Sequence, residues 1–128
     1  MNPYDNNFDP PALCMAVKVA NTLNRRKRAT LRALLDTGAD ITAIPEEQVE
    51  LLDLYARNRL QLETVEGTTS IIDTYVVAFT MGDLVIPRLE VILTGLELVI
   101  VGRDVLNQLY LRLDGPPQQF AIQLTPFN

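Results

Sequence analysis

A carboxylate directly follows an apolar run in the first third of this sequence. Residues 33–35 are Ala-Leu-Leu and residues 36–38 are Asp-Thr-Gly. The run predicts a buried strand that ends at Asp36, where the hydroxyl of Thr37 and the amide of Gly38 can hydrogen-bond to the carboxylate or its neighbours. Burial and hydrogen bonding shift the pKa of an acid, as general acid–base catalysis requires. The alternative interpretation is a turn in which Asp36 caps a helix that begins near Pro45.

The composition limits the kind of protein that this can be. The chain has 128 residues, of which 48% are hydrophobic, so we expect one domain with a single core. Its formal net charge of -5 argues against a nucleic-acid partner, because binding to phosphates needs a basic surface. The basic run at residues 25–28 predicts either a solvated hairpin tip or a docking patch for acidic partners.

Cysteine, histidine and long apolar runs are scarce. Cys14 is the only cysteine, which excludes an intrachain disulfide, and its alternating segment predicts a small core residue. The absence of histidine excludes serine- or cysteine-type catalysis with a histidine base and most zinc sites. We find no signal-peptide pattern and no run long enough to cross a bilayer. We therefore expect a soluble, cytoplasmic protein with no membrane partner.

Short segments of alternating polarity dominate the chain and predict a mainly β fold that forms a small closed barrel. Residues 1–11 read as an extended N-terminal arm, and residues 12–128 as the folded domain. Pro45 and residues 103–109 mark short helices, and Pro87 marks a sheet edge or a bulge. The predicted strands are residues 13–19, 29–34, 60–65, 71–80, 84–93, 96–101, 110–113 and 120–124.

A second motif lies about 65 residues beyond the first, where residues 99–106 read Val-Ile-Val-Gly-Arg-Asp-Val-Leu. Together with residues 34–42, it resembles the retropepsin-like aspartic proteases, the single-domain relatives of retroviral proteases. Their pattern is two apolar residues, Asp-Thr/Ser-Gly-Ala and an apolar stretch, followed downstream by apolar residues and Gly-Arg-Asn/Asp. The resemblance covers roughly residues 12–125 and implies a closed β-barrel of the retropepsin (acid protease) type with one or two short helices. We expect a prokaryotic member.

Peptide hydrolysis by carboxyl groups requires two of them. The ionised one accepts a proton from water while the neutral one donates a proton to the carbonyl oxygen. Two carboxylates about 3 Å apart, at an effective dielectric constant near 20, repel by about 5 kcal/mol, or roughly 4 pKa units, so they share a proton over a wide pH range. The chain holds a single Asp-Thr-Gly. The resemblance therefore implies a symmetric homodimer with one Asp36 per subunit.

The resemblance also implies roles for the residues of the two motifs. Asp36 is the catalytic carboxylate, the hydroxyl of Thr37 bonds to its twin across the dimer axis, and Gly38 lets its amide approach the carboxylates. Ala39 and Asp40 line the cleft and contact the backbone of an extended peptide substrate. Arg103 is expected to form a buried ion pair with Asp40, and the loss of one partner of such a pair typically costs about 3–5 kcal/mol.

The hairpin over residues 60–80 lies where the family has its flap, which closes over bound peptide. The resemblance places Glu66 and Gly67 at the tip, next to the substrate. An ordinary surface hairpin is the competing interpretation.

Two other functions are open from the sequence. One is a peptide-binding or dimerisation module of the same fold with weak catalysis. The other is a carboxylate cluster of Asp36, Asp40 and Asp104 that binds magnesium, although no glycine-rich phosphate loop accompanies it. The first hypothesis, an aspartic endopeptidase, needs no metal and no cofactor.

Overall fold

Ten strands and two one-turn helices make up the chain, and the computed structural model describes all of residues 1–128. Neither helix is long and apolar enough to span a membrane. The elements are β1 (Asn2–Pro3), β2 (Cys14–Asn21), β3 (Arg28–Leu35), β4 (Ala43–Pro45), α1 (Gln48–Leu51), β5 (Asn58–Glu63), β6 (Thr69–Met81), β7 (Leu84–Thr94), β8 (Val99–Val101), α2 (Arg103–Leu106), β9 (Tyr110–Asp114) and β10 (Gln119–Gln123).

Six strands close into a barrel. The sheet order is β2-β3-β8-β4-β7-β6-β5, and β2 also pairs with β6, which leaves β5 outside the closed part. A closed sheet has no free edge among its members. The predicted mainly β fold with a small closed barrel is therefore confirmed.

The barrel interior is filled by alternate side chains of the strands, in a core of 18 buried residues. Along β2, Val17 and Val19 point inward, and along β3, Ala33 and Leu35 do so. Cys14 is buried as predicted, and burial raises the pKa of its thiol. This period-two burial explains why the apolar run before Asp36 folds as a strand.

Two prolines interrupt the strands in different ways. The register of β6 against β7 shifts between Val77 and Phe79, opposite the part of β7 that contains Pro87. Of the two predicted features, a sheet edge or a bulge, the structure therefore has the bulge, since β7 lies between β4 and β6. We expected Pro45 to begin a helix, but it does not. It closes β4, opposite Thr94, and the Glu46 amide still bonds to the Thr94 carbonyl at 3.0 Å, so the helix begins only after the sheet has ended.

The terminal segments form a separate sheet of three strands in the order β1-β10-β9. Asp5, just after β1, bridges to Ala12 and forms an ion pair of 3.0 Å with Arg32 on β3. The amide of Asn7, and then the guanidinium of Arg32, hold the pKa of Asp5 below its usual value. These contacts hold the N-terminal segment against the barrel.

Candidate active site

The end of β3 is held beside β8, and this places Asp36 at the mouth of the barrel. The two strands are parallel, with Leu35 opposite Val101, and the amide of Asp36 donates to the Val101 carbonyl at 2.9 Å. Leu35 is buried, whereas Asp36 is half-buried. The strand therefore ends where the core ends, and the carboxylate emerges at its rim.

The loop after β3 turns back on this carboxylate. The amide of Gly38 donates to Asp36 Oδ1 at 2.8 Å, and the amide of Ala39 donates to the Asp36 carbonyl at 3.1 Å. A Cβ atom on Gly38 would lie 3.1 Å from Asp36 Oδ1, closer than most such contacts. Glycine therefore fits this close approach, while the neighbouring Thr37 is exposed.

Arg103, the first residue of α2, contacts three successive parts of that loop. Its amide donates to the Ala39 carbonyl at 2.8 Å, its Nη1 donates to the Thr37 carbonyl at 2.6 Å, and its guanidinium forms an ion pair with Asp40. The Arg103 side chain is 42% exposed and that of Asp40 is 83% exposed. The expectation of a buried pair is thus wrong for the single chain, because both groups lie on the rim, where an ion pair contributes about 0–1 kcal/mol.

A buried hydrogen-bonded support, which was not predicted from the sequence, lies beneath this rim. Thr42 is completely buried, and its hydroxyl donates to Asp104 Oδ1 at 2.7 Å while its amide donates to Asp104 Oδ2 at 3.0 Å. The same hydroxyl accepts the Gly102 amide at 3.1 Å. A Cβ atom on Gly102 would lie 2.9 Å from the Ile41 carbonyl carbon, so the two motifs are packed backbone against backbone. A polar Thr within the apolar stretch 41–44 was the one signal of this contact.

The hairpin that was predicted over residues 60–80 is formed by β5 and β6. Glu66 and Gly67 lie in its exposed turn, and Gly67 has a φ of +83°, which favours glycine. The hydrogen bonds of the turn are internal: the Thr64 amide donates to the Thr68 carbonyl at 2.8 Å, and the Gly67 amide donates to the Thr64 carbonyl at 2.9 Å. The tip is therefore a self-contained unit, separate from the loop around Asp36.

The three aspartates of the metal hypothesis turn to different partners. Asp36 accepts an amide of its own loop, Asp40 pairs with Arg103, and Asp104 accepts from Thr42. They do not form a group of carboxylates that could hold a metal ion. Of the three, only Asp36 has neither a cation nor a hydroxyl as its partner, which leaves its carboxylate available for proton transfer.

A small closed barrel whose Asp-Thr-Gly loop packs on a Gly-Arg-Asp segment defines the retropepsin-like class of aspartic proteases. The family described as "gag-polyprotein putative aspartyl protease" matches residues 20–108. The chain belongs to this family, and the match covers both motifs, so the predicted family is confirmed. A search of curated proteins gave no match.

The solved structures that share the fold include the following three. The protease of simian foamy virus (mac) is 19% identical, with a TM-score of 0.56 over 74% of this chain and 92% of its own. The EIAV protease in complex with the inhibitor HBY-793 is 21% identical, with a TM-score of 0.53 over 75% and 86% of the two chains. The foamy viral protease-reverse transcriptase, in complex with an RNA/DNA hybrid, is 23% identical and aligns with a TM-score of 0.56 over 75% of this chain and 12% of its own.

Proposed function

We propose that the chain is an aspartic endopeptidase whose active site forms when two copies associate, each contributing one Asp36. The observation that carries this proposal is the carboxylate of Asp36 itself, oriented by the Gly38 amide at 2.8 Å and half-buried at the rim. Membership of an aspartyl protease family supports the reaction class. The single Asp-Thr-Gly in the sequence supports the two-chain site, because the chemistry needs two carboxyls.

In the proposed dimer the two Asp36 side chains lie within hydrogen-bond distance and share one proton. The ionised carboxylate accepts a proton from water, and the resulting hydroxide attacks the peptide carbonyl. The neutral carboxyl donates its proton to the carbonyl oxygen, which gives a tetrahedral diol. The carboxyl that took the proton from water then donates it to the leaving nitrogen as the C–N bond breaks, and one hydroxyl of the diol returns a proton to the other carboxylate. The amide of Gly38 keeps each carboxylate in place during these transfers.

We propose that β9 forms the centre of the dimer interface. In the sheet order β1-β10-β9, this five-residue strand is an edge, and its backbone groups are free to pair with another chain. Tyr110 and Leu113 on it are large and exposed. The strand follows α2 closely, so pairing of β9 with its twin would bring the two loops braced by Arg103 toward each other.

The substrate that we propose is an extended peptide, bound along the rim beneath the hairpin of β5 and β6. An extended segment can add its backbone hydrogen bonds to those of a β-rich cleft. The exposed turn at Glu66 and Gly67 would close over it and exclude water. Substitutions at this tip are therefore expected to affect binding more than the acid–base step.

Cleavage of casein, an unfolded protein, tests the proposal between about pH 4 and pH 7, the acidic range that suits a carboxyl pair. We expect cleavage by the wild type that pepstatin inhibits and EDTA does not. Asp36→Asn should abolish it, whereas Asp83→Asn, the same change at an exposed turn residue, should leave it intact. Cleavage that survives Asp36→Asn would overturn the proposal. A stable dimer without any cleavage would instead favour a peptide-binding module.

A further inference from the structure

The basic run at residues 25–28 lies at the end of the barrel opposite to the candidate active site. It forms the turn between β2 and β3, whereas Asp36 follows the other end of β3. The strand spans eight residues, which corresponds to about 23 Å at roughly 3.3 Å per residue. A ligand held at this turn therefore does not occupy the site around Asp36.

A second segment is fixed against this turn. The side-chain amide of Asn21 donates to the carbonyls of Leu52 and Asp53, at 2.8 and 3.2 Å, and Lys27 forms an ion pair of 2.8 Å with Asp53. The same Asn21 accepts the amide of Leu23 at 2.8 Å. The turn and the segment after α1 consequently form one ordered surface. We call it the basic end and define it as Arg25, Arg26, Lys27, Arg28, Arg57 and the cleft that Lys27 and Arg57 line.

The charge of the chain is strongly uneven because of this surface. The basic end carries five of the 11 lysines and arginines, and Asp53 is the only acid that lines its cleft. The rest of the chain has six basic and 15 acidic residues, and therefore a formal net charge of -9. Lys27 is neutralised by Asp53, but none of the chain's ion pairs involves Arg25, Arg26, Arg28 or Arg57. Four guanidinium groups are thus available to an anionic ligand.

The cleft beside Lys27 and Arg57 combines apolar and polar side chains in its walls. It has a volume of about 180 Å³ and is lined by Leu23, Tyr55 and Val76 together with Lys27 and Arg57. Leu23 is 82% exposed and Tyr55 is 77% exposed, although both are large. Tyrosine and arginine are enriched among the residues that dominate the binding energy of protein interfaces.

We propose that the basic end is a docking surface for an acidic segment of a partner polypeptide that also carries a large apolar side chain. Guanidinium groups match carboxylates in bidentate geometry, and the cleft would take up the apolar side chain. A nucleic acid is the less favourable occupant, because its continuous negative charge would be repelled by the strongly acidic remainder of the chain. The apolar residues of the small cleft can also contact the side chain of a polypeptide better than they can contact a phosphodiester backbone.

Fluorescence anisotropy with a short labelled peptide of glutamates and leucines tests this proposal. The protein carries Asp36→Asn, so that the peptide is not cleaved and the result is independent of the proposed proteolytic function. We expect binding that weakens with salt and that becomes about tenfold weaker in Arg25→Glu/Arg26→Glu. Both arginines are exposed turn residues without side-chain partners, so this variant is expected to fold. Lys18→Glu/Arg88→Glu reverses the same number of charges on exposed residues of β2 and β7, outside the turn, and should weaken binding clearly less than Arg25→Glu/Arg26→Glu.

Several other results of this experiment would overturn the proposal. Equal losses in the two double variants would overturn the proposal in favour of a general charge effect. The proposal would also be overturned if a peptide with glutamine in place of glutamate bound equally well. Displacement of the acidic peptide by pepstatin would overturn it too, because the peptide would then lie in the catalytic cleft. If a single-stranded oligonucleotide or phosphatidylserine vesicles competed more strongly than the peptide at equal charge, the proposal of a polypeptide partner would be overturned in favour of that ligand. Weakened peptide binding in Tyr55→Ser would support the apolar part of the docking surface.

Discussion

Replacing Thr42 by valine tests whether the buried support beneath Asp36 holds the two motifs together. Valine has the shape of threonine but lacks the hydroxyl. The substitution therefore deletes two hydrogen bonds, the one donated to Asp104 Oδ1 at 2.7 Å and the one accepted from the Gly102 amide at 3.1 Å. The backbone amide of Thr42 keeps its bond to Asp104 Oδ2 at 3.0 Å, so the loop remains tethered at one point.

The two lost bonds differ in their expected cost. A bond to a charged group contributes about 1.5–3 kcal/mol, and the lower end applies because Asp104 Oδ1 still accepts the Val105 amide at 3.0 Å. The Gly102 amide is buried and is left without this acceptor, which costs about 1–3 kcal/mol. We therefore expect the free energy of unfolding to fall by about 3 kcal/mol.

Urea unfolding followed by circular dichroism, at one fixed protomer concentration, measures this change. With a slope of about 2 kcal/mol per molar urea, the midpoint should fall by about 1.5 M. Thr30→Val makes the same chemical change at an exposed position of β3 and should stay within about 0.5 kcal/mol of the wild type. If Thr42→Val lost no more than Thr30→Val, the reasoning that joins the two motifs through this hydroxyl would be refuted.

Three further predictions concern the rim, the dimer and the N-terminal segment. Arg103→Ala should lower the free energy of unfolding by about 1 kcal/mol, and a loss of 3 kcal/mol or more in urea would mean that its pair with Asp40 behaves as a buried one. Leu113→Lys should shift the protein toward monomer in sedimentation and reduce cleavage, whereas Leu51→Lys, at a residue of similar exposure, should do neither; equal effects would exclude β9 as the interface. Because the pKa of Asp5 is lowered in the folded chain, its stabilising effect exists above its usual value of 3.8 and is lost as the pH falls through the folded value. The stability gap between wild type and Asp5→Asn should therefore close below about pH 4 in acid titrations, and a constant gap would contradict this sign.

The parts of the structure that the sequence predicted well depend on local patterns. The period-two alternation of β2 and β3 and the apolar run before Asp36 each describe a strand with one buried face. The two family motifs then identified the barrel, because each has a fixed order of residue types over fewer than ten positions. Proline has no amide for the ladder, so the sequence predicted a sheet edge or a bulge at Pro87, and the position of β7 inside the sheet decided for the bulge.

The parts that were missed depend on contacts between distant residues. Thr42 and Asp104 are 62 residues apart, and nothing in the pattern around either indicates that they bond. The exposure of Arg103 is likewise set by the shape of the rim rather than by its neighbours in sequence. Pro45 was expected to start a helix from local preference, but its pairing opposite Thr94 across the sheet outweighed that preference.

The closure of the barrel has a consequence for the order in which the candidate active site forms during synthesis. Asp36 leaves the ribosome before the strand beside it and before the carboxylate that anchors its loop, both of which follow more than 60 residues later. Loops of such length close late and slowly relative to local hairpins. We therefore expect a nascent chain that stops before residue 99 to hold Asp36 in an unstructured segment and to lack the proposed activity.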